Sequence, residues 1–479
     1  MNREAPLSSS WTTIEESAQP RRVSRFVAFV RVFNPRGSEL GTIPRPLIPV
    51  IAFLLLTLIG WVVLLMPFSH QGGGFTPVLD ALFAATSATT TTGLTTQDAA
   101  TFWAMPGQIM LLILTFIGGL GFMVLASLLL VHAGQRISSI LQENTGDRLF
   151  VGNGRRLAVR IALVIVGMQF VGLLVLLVRF SLIEPTPDAL WKAFTMTVLA
   201  FNNAGFIGLH GIEGGGALQT DWAALAASGV LVVLGAVGAI VMLDIGRKRR
   251  WTTLSLNTKI VLSMTGLIAV LGAVAMFLLE FENPATIGDL RLGDKVAVSA
   301  FEGIAGRTSG FTTIDYGEVE EHTSLLMMGL MLVGGASAST AGGIKVNTLT
   351  VLIVAILTAA IRGRGASAFQ REISFIQVKQ AMTLCILLVG ATVLAVLPLT
   401  LVERGQGLEF IDVMFETVSA FSTAGLSTGL ASELSGGGKL VMAVTMFVGR
   451  VLPLSLALFM IGSMSRTRYT YATERITIG

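Results

Sequence analysis

The chain has 479 residues, 53% hydrophobic and only 13% charged, with 33 Lys and Arg against 29 Asp and Glu for a net charge of +4. An ordinary soluble protein carries roughly 25% charged residues, so a water-facing surface is excluded and the composition is that of an integral membrane protein. The one cysteine, Cys385, excludes a disulfide framework or a cysteine-based zinc site, and His70, His132, His210 and His322 have no metal-ligand spacing.

Residues 1–42 lack the apolar core of a signal peptide and carry Arg3, Arg21, Arg22, Arg25, Arg31 and Arg36; they read as a cytoplasmic tail. A spanning helix needs about 20 apolar residues. Eight segments meet that need: 44–67, 106–131, 157–182, 222–244, 258–280, 323–360, 376–402 and 437–463. Most of the basic residues lie on alternate connections, among them Arg155, Arg156, Arg247 to Arg250, Arg362, Arg364 and Arg466. Eight spans with both termini in the cytoplasm account for that bias. Trp61, Trp103, Trp191 and Trp222 fall near the expected outer boundaries and Trp251 near an inner one, as an interfacial belt.

Between each odd span and the next even one lies an apolar stretch too short to cross: 77–89, 188–201, 294–305 and 409–421. Each runs into one small polar pattern: Thr91-Thr92-Gly93, Asn203-Ala204-Gly205, Thr308-Ser309-Gly310 and Thr423-Ala424-Gly425, each followed by Leu or Phe. The glycines are 112, 105 and 115 residues apart, which defines a fourfold repeat of span, half-helix, polar strand and span. The boundaries are 43–135, 136–250, 251–365 and 366–479. A half-helix stopping midway aims its negative carbonyl end at the membrane centre, and glycine allows successive carbonyls to turn toward an axis. Four copies predict rings of backbone oxygens that replace the hydration shell of a monovalent cation. Glycines Gly118, Gly119 and Gly121 read instead as helix packing.

The sixth span is too long for one crossing and is interrupted by Gly334-Gly335-Ala336-Ser337-Ala338-Ser339-Thr340-Ala341-Gly342-Gly343, followed by Lys345. Irregular backbone at membrane depth survives only where protein or a water-filled cavity satisfies it. Arg450 lies well inside the last span, where an arginine is costly unless paired or solvated. Glu302 and Glu416, on two of the half-helices, are its candidate partners, with Arg307 competing for them.

The motifs SATTTTGLT (87–95), FNNAGF (201–206), GRTSGFTT (306–313), SAFSTAGLSTG (419–429) and IGGLGF (117–122), with the loop GGASASTAGGIK (334–345), resemble the Trk, Ktr and HKT potassium transporter superfamily. Eight spans and the terminal TERITIG (473–479) look most like the Ktr membrane subunit. The resemblance implies an all-α membrane fold of four fused channel-like units around one pore, potassium uptake commonly stimulated by sodium, and a homodimer. It also implies a cytoplasmic ring of RCK-type regulatory subunits, through which any ATP or ADP would act, in a bacterial plasma membrane. On that resemblance the loop is a gate beneath the filter, Lys345 is a gate charge, and Arg450 is the fixed charge that limits cation occupancy. Glycine at all four filter positions resembles the potassium-selective type. The last span departs from the family at Leu452, where glycine is usual, which puts close packing there in doubt.

A sodium-permeable transporter of the same fold and a secondary carrier for an organic solute are the alternatives. Carriers of that kind usually show twofold repeats and paired broken spans. An intramembrane enzyme is disfavoured because no serine–histidine pair, paired aspartates or HExxH lies within the spans, and no P-loop is present.

Overall fold

The computed structural model describes residues 47–141, 154–206, 218–362 and 365–462; the expected N-terminal tail and the C-terminal TERITIG lie outside them. The fold is predominantly helical. In chain order the main helices are α1 (Leu47–Leu65), α2 (Val78–Thr89), α3 (Met105–Leu141), α4 (Gly154–Ser181), α5 (Thr186–Asn202), α6 (Trp222–Val237) and α7 (Ala239–Lys248). They continue as α8 (Leu256–Leu279), α9 (Leu292–Ala305), α10 (Glu321–Leu332), α11 (Val346–Arg362), α12 (Phe375–Val402), α13 (Phe410–Ser422) and α14 (Gly436–Gly462). A two-residue hairpin, Ser367–Ala368 with Arg371–Glu372, joins α11 to α12; Phe369 and Gln370 at its tip both have positive φ, as a tight primed turn requires.

Burial sorts the long helices into two groups. In α1 the buried residues Phe53, Thr57, Gly60 and Leu64 form one stripe, while Leu54, Leu55, Leu58, Ile59 and Val62 are exposed. A helix with that pattern faces lipid on most of its surface. The apolar windows of α1, α4, α8 and α12 are only 22–33% buried, whereas those of α3 and α14 are 50% buried. The first set is peripheral and the second lies nearer the centre.

Among the described residues six helices are long and apolar enough to cross a membrane, and the bent pair α6–α7 makes a seventh candidate. The remaining segment expected to span, 323–360, is split into α10 and α11 on either side of the glycine-rich loop. One expectation needs correcting: 222–244 is not a continuous helix. It breaks at Gly238 with a bend of 98°. Gly238 has φ +85°, a backbone angle that favours glycine, and a Cβ there would lie a tight 3.1 Å from the Ala338 carbonyl.

The short helices α2, α5, α9 and α13 each pack on the peripheral helix that precedes them. Each also contacts an element of the preceding unit: α5 meets α3, α9 meets α6, α13 meets α10, and α2 meets α14. That last contact joins the end of the chain to its beginning, so the four units close on themselves. Lys439 at the start of α14 fastens the closure with a 2.7 Å ion pair to Asp80 of α2.

Candidate functional site

The four short helices share a local design. Each carries an aspartate three residues after its N-cap position: Asp80, Asp188, Asp294 and Asp412. A carboxylate in the first turn complements the positive end of the helix dipole. The C-terminal ends converge on the four repeated tripeptides, whose twelve residues are all buried.

Three of the units leave their helix by the same turn. Thr91, Asn203 and Thr423 adopt left-handed φ of 56°, 54° and 49°. The next residue's N–H bonds five residues back, from Thr92 to Ser87 at 2.9 Å, Ala204 to Leu199 at 3.0 Å and Ala424 to Ser419 at 2.9 Å. The third unit turns more tightly, with Ser309 N–H on the Ala305 carbonyl at 2.8 Å, and Thr308 keeps a negative φ. In the first and fourth units a serine hydroxyl, Ser87 or Ser419, also accepts from the N–H of Gly93 or Gly425 at 3.0 and 3.1 Å.

The four glycines form a closed ring. A Cβ added to Gly93 would meet the Gly205 backbone, and one on Gly205 would lie 2.5 Å from Gly310. One on Gly310 would lie 2.6 Å from the Ala424 carbonyl, and one on Gly425 would meet Thr92. Each strand thus touches the next in chain order, and the fourth touches the first. No side chain fits between them.

A second set of glycines seats the central helices on this ring. Gly118 approaches the Thr89 carbonyl, Gly235 that of Phe201, and Gly449 that of Phe421. The three carbonyls stand four residues before Gly93, Gly205 and Gly425. Gly118 and Gly119 therefore act in packing, as expected, against Thr89 and the Asn202 side chain; Gly121 has nothing within 4 Å. Gly449 supplies the close approach that Leu452 put in doubt, while Leu452 packs against the cluster of Ile344, Cys385, Leu388 and Phe421.

The loop 334–343 lies against the helix-proximal residues of the ring. Its neck is a parallel bridge between Val333 and Ile344. Thr340 is its central contact: Asn203 Nδ2 donates to Thr340 Oγ1 at 2.8 Å, and Thr91 Oγ1 donates to the Thr340 carbonyl at 3.4 Å. Thr308 Oγ1 joins the network through Asn203 Oδ1 at 2.8 Å, and Gly342 packs on Thr423 Oγ1 and the Ser422 carbonyl. All four tripeptides are thereby tied, directly or through Asn203, to one loop.

Arg450 is 1% exposed. The structure corrects the expected pairing: it bonds neither Glu302 nor Glu416, and instead donates from Nη1 to the Thr340 carbonyl. Its guanidinium stacks on Phe122, 4.2 Å from the ring centroid, and Lys345 Nζ approaches the same ring at 5.8 Å. Lys345 also donates to the carbonyls of Ala341 at 2.5 Å and Gly342 at 3.2 Å. Two cations and one phenyl ring thus clasp the loop, a contact invisible in the sequence because Phe122 belongs to another unit.

The two glutamates hold the return strands. Glu302 accepts from Thr313 N–H at 2.7 Å, the hydroxyls of Thr313 at 2.9 Å and Thr312 at 3.0 Å, and the Tyr316 hydroxyl at 2.9 Å. Glu416 accepts from the Ser427 hydroxyl. Arg307 is buried, with Nε and Nη1 lacking a hydrogen-bond partner. Removing the Glu302 carboxylate leaves several buried donors unpaired at about 1–3 kcal/mol each. Glu302→Ala is expected to lower the thermal midpoint of the detergent-solubilised protein by several degrees, and Glu302→Gln by less, as intrinsic fluorescence would record. The Trp belt also needs correcting. Trp222 and Trp251 are exposed, but Trp103 is 2% exposed in a core with Leu64 and Leu111.

A chain with several helices able to cross a membrane, whose units close around a buried ring of backbone, has the architecture of a membrane transport protein. The comparisons then give the family: the TrkH model, described as cation transport protein, matches residues 69–469, and the chain belongs to that family. It is 33% identical over 420 residues to the Ktr system potassium uptake protein B of Bacillus subtilis, covering 86% of this chain and 91% of that one. It is also 33% identical to the potassium/sodium uptake protein NtpJ of Enterococcus hirae over 438 residues, 89% of this chain and 95% of that one. The crystal structure of the potassium transporter TrkH from Vibrio parahaemolyticus shares the fold, with a TM-score of 0.68 at 19% identity over 88% of this chain and 86% of that one.

Proposed function

We propose that the chain is the ion-translocating subunit of a potassium uptake system. Potassium passes the four tripeptides in single file, and the loop 334–343 gates the path beneath them. The observation that carries this reading is the closed ring of Gly93, Gly205, Gly310 and Gly425. Backbone oxygens arranged around an axis can replace a cation's hydration shell, and short helices ending there add the negative ends of their dipoles. A ring with its strands in contact leaves no room for an organic solute, which argues against the carrier alternative.

In this reading eight spans place both termini in the cytoplasm of a bacterial plasma membrane, with the broken α10–α11 segment as the sixth span. The chain works as a homodimer on a nucleotide-binding regulatory ring of the RCK type, and ATP or ADP acts only through that ring. Glycine at all four positions supports preference for potassium, with sodium as a stimulating ion. The second reading, sodium transport through the same path, is supported by the potassium/sodium name of the Enterococcus hirae relative.

Flux into proteoliposomes under imposed potassium or sodium gradients tests both. The wild type and a deletion of residues 336–341 are compared. Potassium-preferring flux that rises in the deletion supports the proposal. Equal or larger sodium flux supports the second reading, and no cation flux in either form refutes the pore.

A further inference from the structure

The bend at Gly238 sets the direction in which the chain leaves α6. Helix α6 ends at Val237 and α8 starts at Leu256, so the segment between them returns to the membrane after 18 residues. Within it α7 runs at 98° to α6, which lays it along the membrane plane if α6 crosses. It cannot depart from that surface, because both its ends are tied to spanning helices. Ala239, Val241, Met242 and Asp244 of α7 are buried, while Ile245, Arg247, Arg249, Arg250 and Trp251 at its far end are exposed. Lys248 is engaged with Asp244 at 2.9 Å, and Asp244 fixes α7 to the start of α8 through Ser255 N–H at 2.9 Å and Thr258 Oγ1 at 2.6 Å. Arg247, Arg249 and Arg250 make no ion pair among the described residues.

The near end of α7 is joined to the loop. Ala336 N–H donates to the Ala236 carbonyl at 2.8 Å and Thr340 N–H to that of Gly235 at 3.3 Å. Val237 and Val241 share one apolar cluster with Ala336 and Val346, and Ile240 packs in another that contains Ala338. The carbonyls that receive the loop are free to do so because the helix stops at Gly238. Whatever favours the bend therefore favours the loop in its present position, by linkage.

We propose that Arg247, Arg249 and Arg250 bind the anionic phospholipid headgroups of the cytoplasmic leaflet, and that α7 transmits this hold to the loop and keeps it closed. The proposal rests on the reading of the loop as a gate. Three exposed guanidiniums held at the surface, beside an exposed tryptophan of the kind that favours the headgroup layer, match anionic lipid in charge and depth.

The test uses the full-length chain in vesicles of phosphatidylcholine alone or with one third phosphatidylglycerol. Wild type, an Arg247→Gln/Arg249→Gln/Arg250→Gln variant and the 336–341 deletion are compared for resting potassium flux, with phosphatidylglycerol retention read by native mass spectrometry. Wild-type flux is expected to fall several-fold when phosphatidylglycerol is present. The triple variant should retain less of that lipid and lose the response, and the deletion should give high flux in both lipids. A wild type indifferent to phosphatidylglycerol overturns the proposal and leaves the patch to a protein partner. A triple variant or a deletion that responds as fully as wild type overturns it also, because the lipid then acts elsewhere. Absence of flux in every form, the deletion included, refutes the pore reading itself.

Discussion

Replacing any one of Gly93, Gly205, Gly310 or Gly425 with alanine is expected to reduce cation flux by about 100-fold, equivalent to about 2.7 kcal/mol at the barrier. Two effects combine. Gly93, Gly310 and Gly425 have φ of +94°, +59° and +87°, where a side chain costs of order 1–3 kcal/mol. At all four positions the added methyl also meets the backbone of the neighbouring strand. Gly205 separates the effects, because its φ is not positive and only the contact with Gly310 remains. Tracer flux beside size-exclusion profiles checks the prediction. Loss of flux with a preserved monodisperse peak locates the damage in the ring, whereas unaltered flux in Gly205→Ala would show that the strands do not line the path.

The second large effect is expected at Arg450. Two unit charges about 8 Å apart at an effective dielectric of about 20 repel by about 2 kcal/mol, so a fixed guanidinium next to the innermost tripeptide residues opposes an arriving cation. Arg450 also holds the Thr340 carbonyl. Arg450→Gln removes the charge and weakens that hold, and flux is expected to rise about tenfold or more, in keeping with 1.36 kcal/mol per decade. Arg450→Lys keeps the charge and loses the stacking on Phe122, so its rise should be smaller. A Gln variant no faster than the Lys variant would show that the charge has no part in limiting flux, and measurement of both in one lipid composition decides it.

The ring and the loop were legible in the sequence for the same reason: each is a run of small polar residues where hydropathy calls for bulk. Repetition made the tripeptides specific, since Thr-Ser-Gly alone means little. The seating glycines Gly118, Gly235 and Gly449 were harder, because a glycine in an apolar helix packs, bends or does nothing, as the idle Gly121 illustrates. The aspartates in the first turn of each short helix are harder still, because Asp80, Asp188, Asp294 and Asp412 precede the glycine of their unit by 13, 17, 16 and 13 residues, so aligning the units on their glycines leaves them out of register. The bend at Gly238 left no trace in hydropathy, since Leu-Gly-Ala-Val-Gly-Ala-Ile reads as continuous span. It is set by the docking of the loop from another unit. For Arg450, charge alone points to a carboxylate partner, whereas the fold brings it a carbonyl and an aromatic face. Contacts between units are long-range, and the period of a helix does not encode them.

In the proposed path cations bind on the axis of the glycine ring. Anomalous diffraction from crystals grown in rubidium or thallium salts tests it most directly. Cation density is expected within the backbone of residues 91–93, 203–205, 308–310 and 423–425. An ordered ring without cation density at saturating salt, or density confined to another part of the molecule, would contradict it.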